Sequence, residues 1–318
     1  MKTRLAPSPT GALHLGNART FLINWLLARQ LGWKILLRIE DLDGPRIKSG
    51  ADRQAIEDLQ WLGLNWDEGP IYQSPRQADY QRAVNQLLAD GSAYPCVCSR
   101  KEVEQAASAP HAEDGAAVYP GTCRGKFATV DSARRAAGRE PAIRFHVPDE
   151  IIKWSDLFRG PQQCDAMKNL GDFVIAKADG VAAYQLAVVI DDAAMGITQV
   201  VRGDDLIDST PRQILLYRAL GLSSQIPTYR HLPLVIGTDG RRLAKRHGDT
   251  RLSTYRDLAV SPKRLLALLA RWCGVANIGD LSTVEILLNT FDLASMPKEP
   301  TVFSSEEDDW LRNAPEIR

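Results

Sequence analysis

Three groups of residues in this sequence have types and spacings suited to chemistry. The first is His14-Leu15-Gly16-Asn17. At the mouth of a helix, free backbone N–H groups and the positive end of the dipole favour phosphate. A glycine there lets the backbone come close to a ligand, and an imidazole can donate to a phosphate oxygen. Alone, so short a motif fits a plain loop equally well. The second group is Gly240-Arg241-Arg242-Leu243-Ala244-Lys245-Arg246-His247-Gly248. Its cations, set between glycines, could clamp a polyphosphate, or simply form a solvated basic loop. The third group is Cys96, Cys98 and Cys123, three of the five cysteines in the chain. C-x-C with one distant cysteine is an incomplete zinc pattern, because structural zinc takes four ligands. His111 could supply a fourth, and three reduced thiols are the competing reading.

The elements that must position these groups follow from periodicity. Residues 2–6 read as a strand running into Pro7-Ser8-Pro9-Thr10-Gly11. From Asn17 the positions Phe21, Leu22, Trp25, Leu26 and Ala28 follow a 3.6-residue period that Gly32 ends. Trp33–Ile39 is a second strand, which ends in Glu40-Asp41-Leu42-Asp43. Strand, glycine-bearing loop, helix and strand make a βαβ unit, and so a parallel sheet with a right-handed crossover. Ser49 with Asp52, Ser74-Pro75, Thr210-Pro211 and Ser261-Pro262 read as helix starts. Ala183–Ile190 and Ile197–Val201 read as apolar, strand-like runs. The tail after residue 296 reads as an acidic loop.

Composition narrows the class. The 318 residues are 44% hydrophobic and 25% charged, ordinary globular values. The length suits two domains with room for an insertion. Lys plus Arg equals Asp plus Glu at 39 each. That balance excludes bulk polyanion coating and leaves room for local basic patches. Five cysteines, an odd number, argue against a disulfide framework. No apolar run suits a membrane span or a signal peptide, so the expectation is a soluble, cytoplasmic protein.

Taken together, the motifs resemble a known family. Arg4-Leu5-Ala6-Pro7-Ser8-Pro9-Thr10-Gly11-Ala12-Leu13-His14-Leu15-Gly16-Asn17 is similar to the HIGH-motif segment of class I glutamyl-tRNA synthetases, and Arg242-Leu243-Ala244-Lys245-Arg246 resembles their KMSKS loop. Leu36–Asp43, Ala183–Asp192 and Gly196–Asp205 match the same catalytic core in order. The departures are Leu15 and Asn17 in the first motif, and Arg242 and Ala244 where the second has Lys and Ser. Arg242 keeps the charge, while Ala244 loses a hydroxyl that could donate to phosphate. Only 72 residues follow Arg246, too few for the family's anticodon-binding region. Within the family the chain therefore resembles the truncated glutamyl-Q-tRNA(Asp) branch. Val188, where full-length members resemble an Asn, agrees with that branch.

The resemblance implies an α/β fold: a Rossmann-like class I synthetase catalytic core with a zinc-containing insertion and a short helical C-terminal region, without an anticodon-binding domain. The expected divisions are 1–90 for the first half of the core, 91–182 for the insertion and a tRNA contact, 183–240 for the second half, and 241–318 for the KMSKS-type loop and C-terminal region. It implies activation of L-glutamate with ATP and Mg²⁺, followed by transfer to the queuosine base in the anticodon of tRNA(Asp). It assigns His14, Gly16, Lys245 and Arg242 to catalysis, and His14, Gly16, Asn17 and Lys245 to ATP. It assigns Arg4, Leu5, Ala6, Pro7, Ser8, Glu40, Tyr184 and Arg202 to glutamate. It implies one structural zinc on Cys96, Cys98, Tyr119 and Cys123, and a monomer. Two rival readings are a short synthetase charging tRNA(Glu) and a zinc-containing tRNA-binding protein without catalysis.

Charge is segregated along the chain. Residues 124–144 and 241–251 each carry a net +4, and 296–318 a net −3. The two basic segments are candidate phosphate-contacting surfaces. A solvated arginine-rich helix face remains the alternative for 124–144.

Overall fold

The computed structural model describes residues 1–99, 101–103, 118–241, 243 and 249–313. Arg242, Lys245 and His111, and residues 244, 246–248 and 314–318, lie outside them. The chain opens on the predicted βαβ unit. Strand β1 (Lys2–Leu5) leads through the proline-rich loop into helix α1 (Leu15–Gln30), and β2 (Lys34–Ile39) pairs parallel with β1, Arg4 opposite Leu36. Both strands are almost wholly buried, as expected where helices cover a parallel sheet.

Helix α2 (Ala51–Trp61) then leads to β3 (Glu68–Tyr72), parallel to β2, and α3 (Gln77–Ala89) follows. Two predicted starts shift. The N-cap of α2 is Gly50, in the left-handed region, and not Ser49, and Ser74-Pro75 opens a 3₁₀ turn ahead of α3. An antiparallel sheet comprises β4 (Ala93–Cys96), β5 (Ala142–Phe145) and β8 (Val174–Ala176), with α4 (Val130–Ala137) between β4 and β5 in sequence. Between β5 and β8 the hairpin of β6 (Ile151–Asp156) and β7 (Gly160–Asp165) leaves that sheet. β6 joins β10 (Thr228–Leu232) and β9 (Gln199–Gly203) in a second sheet, where β10 is parallel to both neighbours. Thr198 N–H donates to Lys2 O at 2.9 Å, which sets β9 beside β1.

Two expectations are corrected. The apolar run Ala183–Ile190 is not a strand but most of helix α5 (Tyr184–Ala194). A short continuous apolar run has no periodicity to separate strand from buried helix. Here Leu186, Ala187, Val188 and Val189 are all buried, so packing overrides the β preference of the valines. The acidic tail is not a loop. After α6 (Ser209–Ala219), β11 (Val235–Ile236), α7 (Leu252–Asp257), α8 (Pro262–Trp272) and α9 (Val284–Thr290), the strand β12 (Thr301–Val302) pairs parallel with β11. Helix α10 (Ser305–Arg312) ends the described chain, opened by a Ser304/Glu307 capping box. No helix among the described residues is long and apolar enough to cross a membrane.

Candidate functional site

The carboxyl ends of β1, β2 and β9 converge, and a crevice outside such ends is where open α/β sheets bind ligands. A cavity of about 620 Å³ lies there, lined by Arg4, Ala6, Pro7, Ser8, His14, Gly16, Asn17, Glu40, Tyr184 and Arg202 among others. Residues picked out of four separate stretches of sequence thus line one space. Leu5 is the exception: its side chain is fully buried in the core beneath the cavity, so only its backbone is available there.

Part of the cavity lining is the start of α1. His14 is the N-cap, and its Nδ1 accepts from Gly16 N–H at 3.1 Å while its own N–H donates to Asn17 Oδ1 at 3.2 Å. A Cβ on residue 16 would stand 3.0 Å from His14 Cε1. A side chain there would press on the imidazole folded over the helix end, and glycine leaves that room. The segment around His14 is bridged to the stretch that follows the basic motif: Leu15 N–H donates to Thr250 O at 3.1 Å and Leu252 N–H to Leu13 O at 2.8 Å. Residues 250–252 and the His14 segment, far apart in sequence, are therefore anchored side by side. A second cavity of about 740 Å³ shares Thr10, Gly11, Ala12 and His14 with the first and adds Lys48, Arg53, Arg251 and Arg256.

Other lining residues carry the charge pattern. Arg4 is 5% exposed, and among the described residues its guanidinium makes no hydrogen bond, only an ion pair at 3.6 Å with Asp192. A buried cation so thinly compensated is costly unless an anion joins it. Glu40 pairs with Arg38 at 3.0 Å, and Arg38 with Asp192 at 2.6 Å. Burial opposes the charge on Arg38, but Asp192, Glu40 and Asp191 outweigh it and hold the guanidinium protonated. Burial pushes the Glu40 carboxyl above its ordinary value, with Arg38 and Arg4 pulling against the rise. Arg202 is held by three acceptors: His231 Nε2 at 2.9 Å, Thr210 Oγ1 at 2.9 Å and Gln213 Oε1 at 3.0 Å.

The sequence reading missed Arg38, Asp192, Asp156 and His231. Arg38 and Glu40 alternate on one face of an otherwise apolar run, and Asp191-Asp192 interrupts another. Buried charge inside hydrophobic runs was the available signal. His231 sits in Tyr229-Arg230-His231-Leu232, where nothing local marks it.

The cysteine group also assembles. The Sγ atoms of Cys96, Cys98 and Cys123 lie within 4.8 Å of one another. The Tyr119 hydroxyl is 3.3 Å from Cys96 Sγ and 3.4 Å from Cys98 Sγ. A tetrahedral zinc with Zn–S near 2.3 Å needs sulfurs on the order of 3.8 Å apart, and Cys98 and Cys123 stand at 3.5 Å. Three soft sulfurs and a phenol at these separations fit zinc. The Arg144 guanidinium lies 3.8 Å above the Tyr119 ring, with Nε 3.3 Å from Cys96 Sγ, a cation suited to thiolate ligands.

Residues 1–310 match the family model described as tRNA synthetases class I (E and Q), catalytic domain. A glutamyl-Q tRNA(Asp) synthetase of Symbiobacterium thermophilum is 50% identical over 313 residues, covering 95% of this chain and 96% of that protein. A glutamate–tRNA ligase of Citrifermentans bemidjiense is 40% identical over 98% of this chain, but the match spans 65% of that longer protein. Among solved structures, a glutamate tRNA ligase of Elizabethkingia meningosepticum, in complex with its amino acid, superposes with a TM-score of 0.81. It is 30% identical and covers 98% of this chain and 68% of that one.

Proposed function

This chain belongs to the family of class I tRNA synthetase catalytic domains for E and Q, and on that premise we propose that it activates L-glutamate with ATP, without tRNA, and transfers the glutamyl group to the queuosine base of tRNA(Asp). Ligases of this class use ATP with Mg²⁺. The observation that carries the reading is one cavity lined by two chemically different sets of groups: Arg4, Arg202 and Glu40, and the α1 N-terminus with His14. Carboxylate, ammonium and phosphate each find a partner there.

In this reading the substrate ammonium pairs with Glu40 and its carboxylates with Arg4 and Arg202, with the Tyr184 hydroxyl and Ser8 at hand for further hydrogen bonds. Ordering glutamate and ATP in one cavity replaces a bimolecular encounter with a positioned one. An oxygen of the glutamate α-carboxylate attacks the α-phosphorus. The new O–P bond forms as the bond to the bridging oxygen breaks, and pyrophosphate leaves with that electron pair. The α1 N–H groups and His14 stabilise phosphate charge as it shifts. Lys245 and Arg242 are the cations that the sequence offers to the leaving pyrophosphate. A queuosine hydroxyl then attacks the acyl carbon and AMP departs. Cys96, Cys98, Cys123 and Tyr119 would hold a zinc ion with a structural role, joining the end of β4 to the loop before α4, away from the reacting groups.

Specificity follows from the same charges. Glutamine in place of glutamate leaves an arginine unmatched in a desolvated site, the kind of mismatch that rejects a substrate by orders of magnitude. Two features support the tRNA assignment over tRNA(Glu): the near-full-length match to a glutamyl-Q tRNA(Asp) synthetase, and Val188 within α5. The direct test is ATP–pyrophosphate exchange with the zinc-loaded protein in the absence of tRNA. The expected result is exchange that depends on glutamate and not on glutamine. Exchange that begins only when tRNA(Glu) is added would overturn the reading.

A further inference from the structure

Arg202 has five N–H donors, all in one plane. The bonds to His231, Thr210 and Gln213 use three of them. Two remain, one on each terminal nitrogen, for a carboxylate in the cavity that Arg202 lines. The three acceptors therefore decide where the free pair points. Thr210 and Gln213 come from α6, and His231 from β10, the strand beside the one that carries Arg202.

His231 is fully buried, and its other nitrogen is taken. Nδ1 lies 2.6 Å from Asp156 Oδ2, and Asp156 is itself fixed by N–H groups of Phe158, Arg159 and His231 at 2.8–3.2 Å. Arg202 has no acceptor site, so its Nε–H must donate to the bare Nε2 of His231. That leaves the ring proton on Nδ1, donated to Asp156. Asp156 at the end of β6 thus reaches Arg202 through one ring.

We propose that His231, held in a single tautomer by Asp156, is a positioning residue that aims Arg202 at the substrate carboxylate while leaving its charge uncancelled. A carboxylate in the place of His231 would fix the guanidinium equally well. It would also neutralise the cation that the substrate must find. A neutral imidazole fixes direction without spending charge, and the anion that orients the ring stands one residue further back. Arg38 shows the contrast: two carboxylates hold it directly, and it serves as scaffold. The proposal rests on the proposed function, because it takes the carboxylate of glutamate as the ligand of Arg202.

The test measures L-glutamate affinity by calorimetry, and KM for glutamate and for ATP in the exchange reaction, for the wild type, His231→Leu, His231→Gln and Asp156→Asn. His231→Leu removes the acceptor. His231→Gln can return an oxygen close to the Nε2 position. Asp156→Asn is isosteric, and its amide can donate to Nδ1, which moves the ring proton to Nε2 against the Nε–H of Arg202. The expected result is a rise of roughly 10- to 100-fold in KM and Kd for glutamate in His231→Leu and Asp156→Asn, the size expected when a hydrogen bond to a charged group is lost. KM for ATP should stay within about twofold, and His231→Gln should recover most of the loss. Equal changes in both KM values, or no change for Asp156→Asn, would overturn the proposal. Wild-type protein that binds no glutamate would overturn the proposed function, and this inference with it.

Discussion

Arg4 carries the clearest contradiction between folding and function in the molecule. Among the described residues its Nε is buried without a hydrogen bond, and its one ionic partner, Asp192, is shared with Arg38. In a substrate-free fold this is a liability, since an unpaired buried donor costs about 1–3 kcal/mol. Arg4→Met should therefore leave the thermal midpoint unchanged or higher, while KM for glutamate rises by about two orders of magnitude. Melting curves beside exchange kinetics decide it, and a fall of several degrees with normal KM would show Arg4 to be structural. Cys98→Ser replaces a soft donor with a hard one in the sulfur cluster. Zinc per chain, by atomic emission, should fall well below one while the wild type holds one, and full occupancy in the variant would contradict the site. At this scale the sequence was most legible where motif and chemistry coincide, as at His14, Arg4 and Cys96. It was least legible where a residue acts through another. Gly16 illustrates the difference: its type pointed to close ligand approach, and the structure adds that it makes room for the His14 ring.

Among elements, the βαβ opening was readable because α1 and its flanking strands each keep one period throughout. Helix α5 was not, since Leu186–Ile190 is a continuous apolar run without a helical period, and it is the burial of Leu186, Ala187, Val188 and Val189 that makes it a helix. The tail was misread for the opposite reason. Its acidic residues looked like solvated loop, yet Ser304 and Glu307 form a capping box and place Glu306, Glu307 and Asp308 in the first turn, where the helix dipole favours them. Helix α2 yields a prediction of its own. The Asp58 carboxylate is wholly buried and, among the described residues, accepts no hydrogen bond, with Arg256 at 3.4 Å. Burial pushes its carboxyl up to about 6. A carboxyl raised in the fold stabilises it fully below the ordinary value near 4 and loses that contribution as pH rises through about 6. Asp58→Asn should therefore be the more stable protein at pH 8, by about 2 kcal/mol, and the gap should close toward pH 4. Denaturant melts across that range check the sign. A variant less stable at pH 8 would mean the Arg256 pair outweighs the burial.

At the scale of the whole molecule, zero net charge conceals segregation. The basic stretch 241–251 ends beside His14, because Thr250 and Leu252 are hydrogen-bonded to Leu15 and Leu13. The stretch 124–144 contributes Arg124 to the Asp172 ion pair, and Arg144 to Tyr119 and Cys96, so part of its charge is structural. That partition was hidden from the sequence, where an arginine facing the cysteine cluster and one facing solvent read alike. The catalytic-domain family and the ordered motifs were legible. The network behind Arg202 was not, because Asp156, His231 and Arg202 lie on three strands that meet only in the folded sheet. In the proposed reaction the activated glutamate goes to queuosine and not to a tRNA 3′ end. The measurement that bears on it most directly is transfer of labelled glutamate to two preparations of the same tRNA(Asp), one carrying queuosine at the anticodon and one carrying guanosine there. The account predicts label on the first, none on the second and none on tRNA(Glu). Equal labelling of both tRNA(Asp) preparations, or labelling of tRNA(Glu), would contradict it.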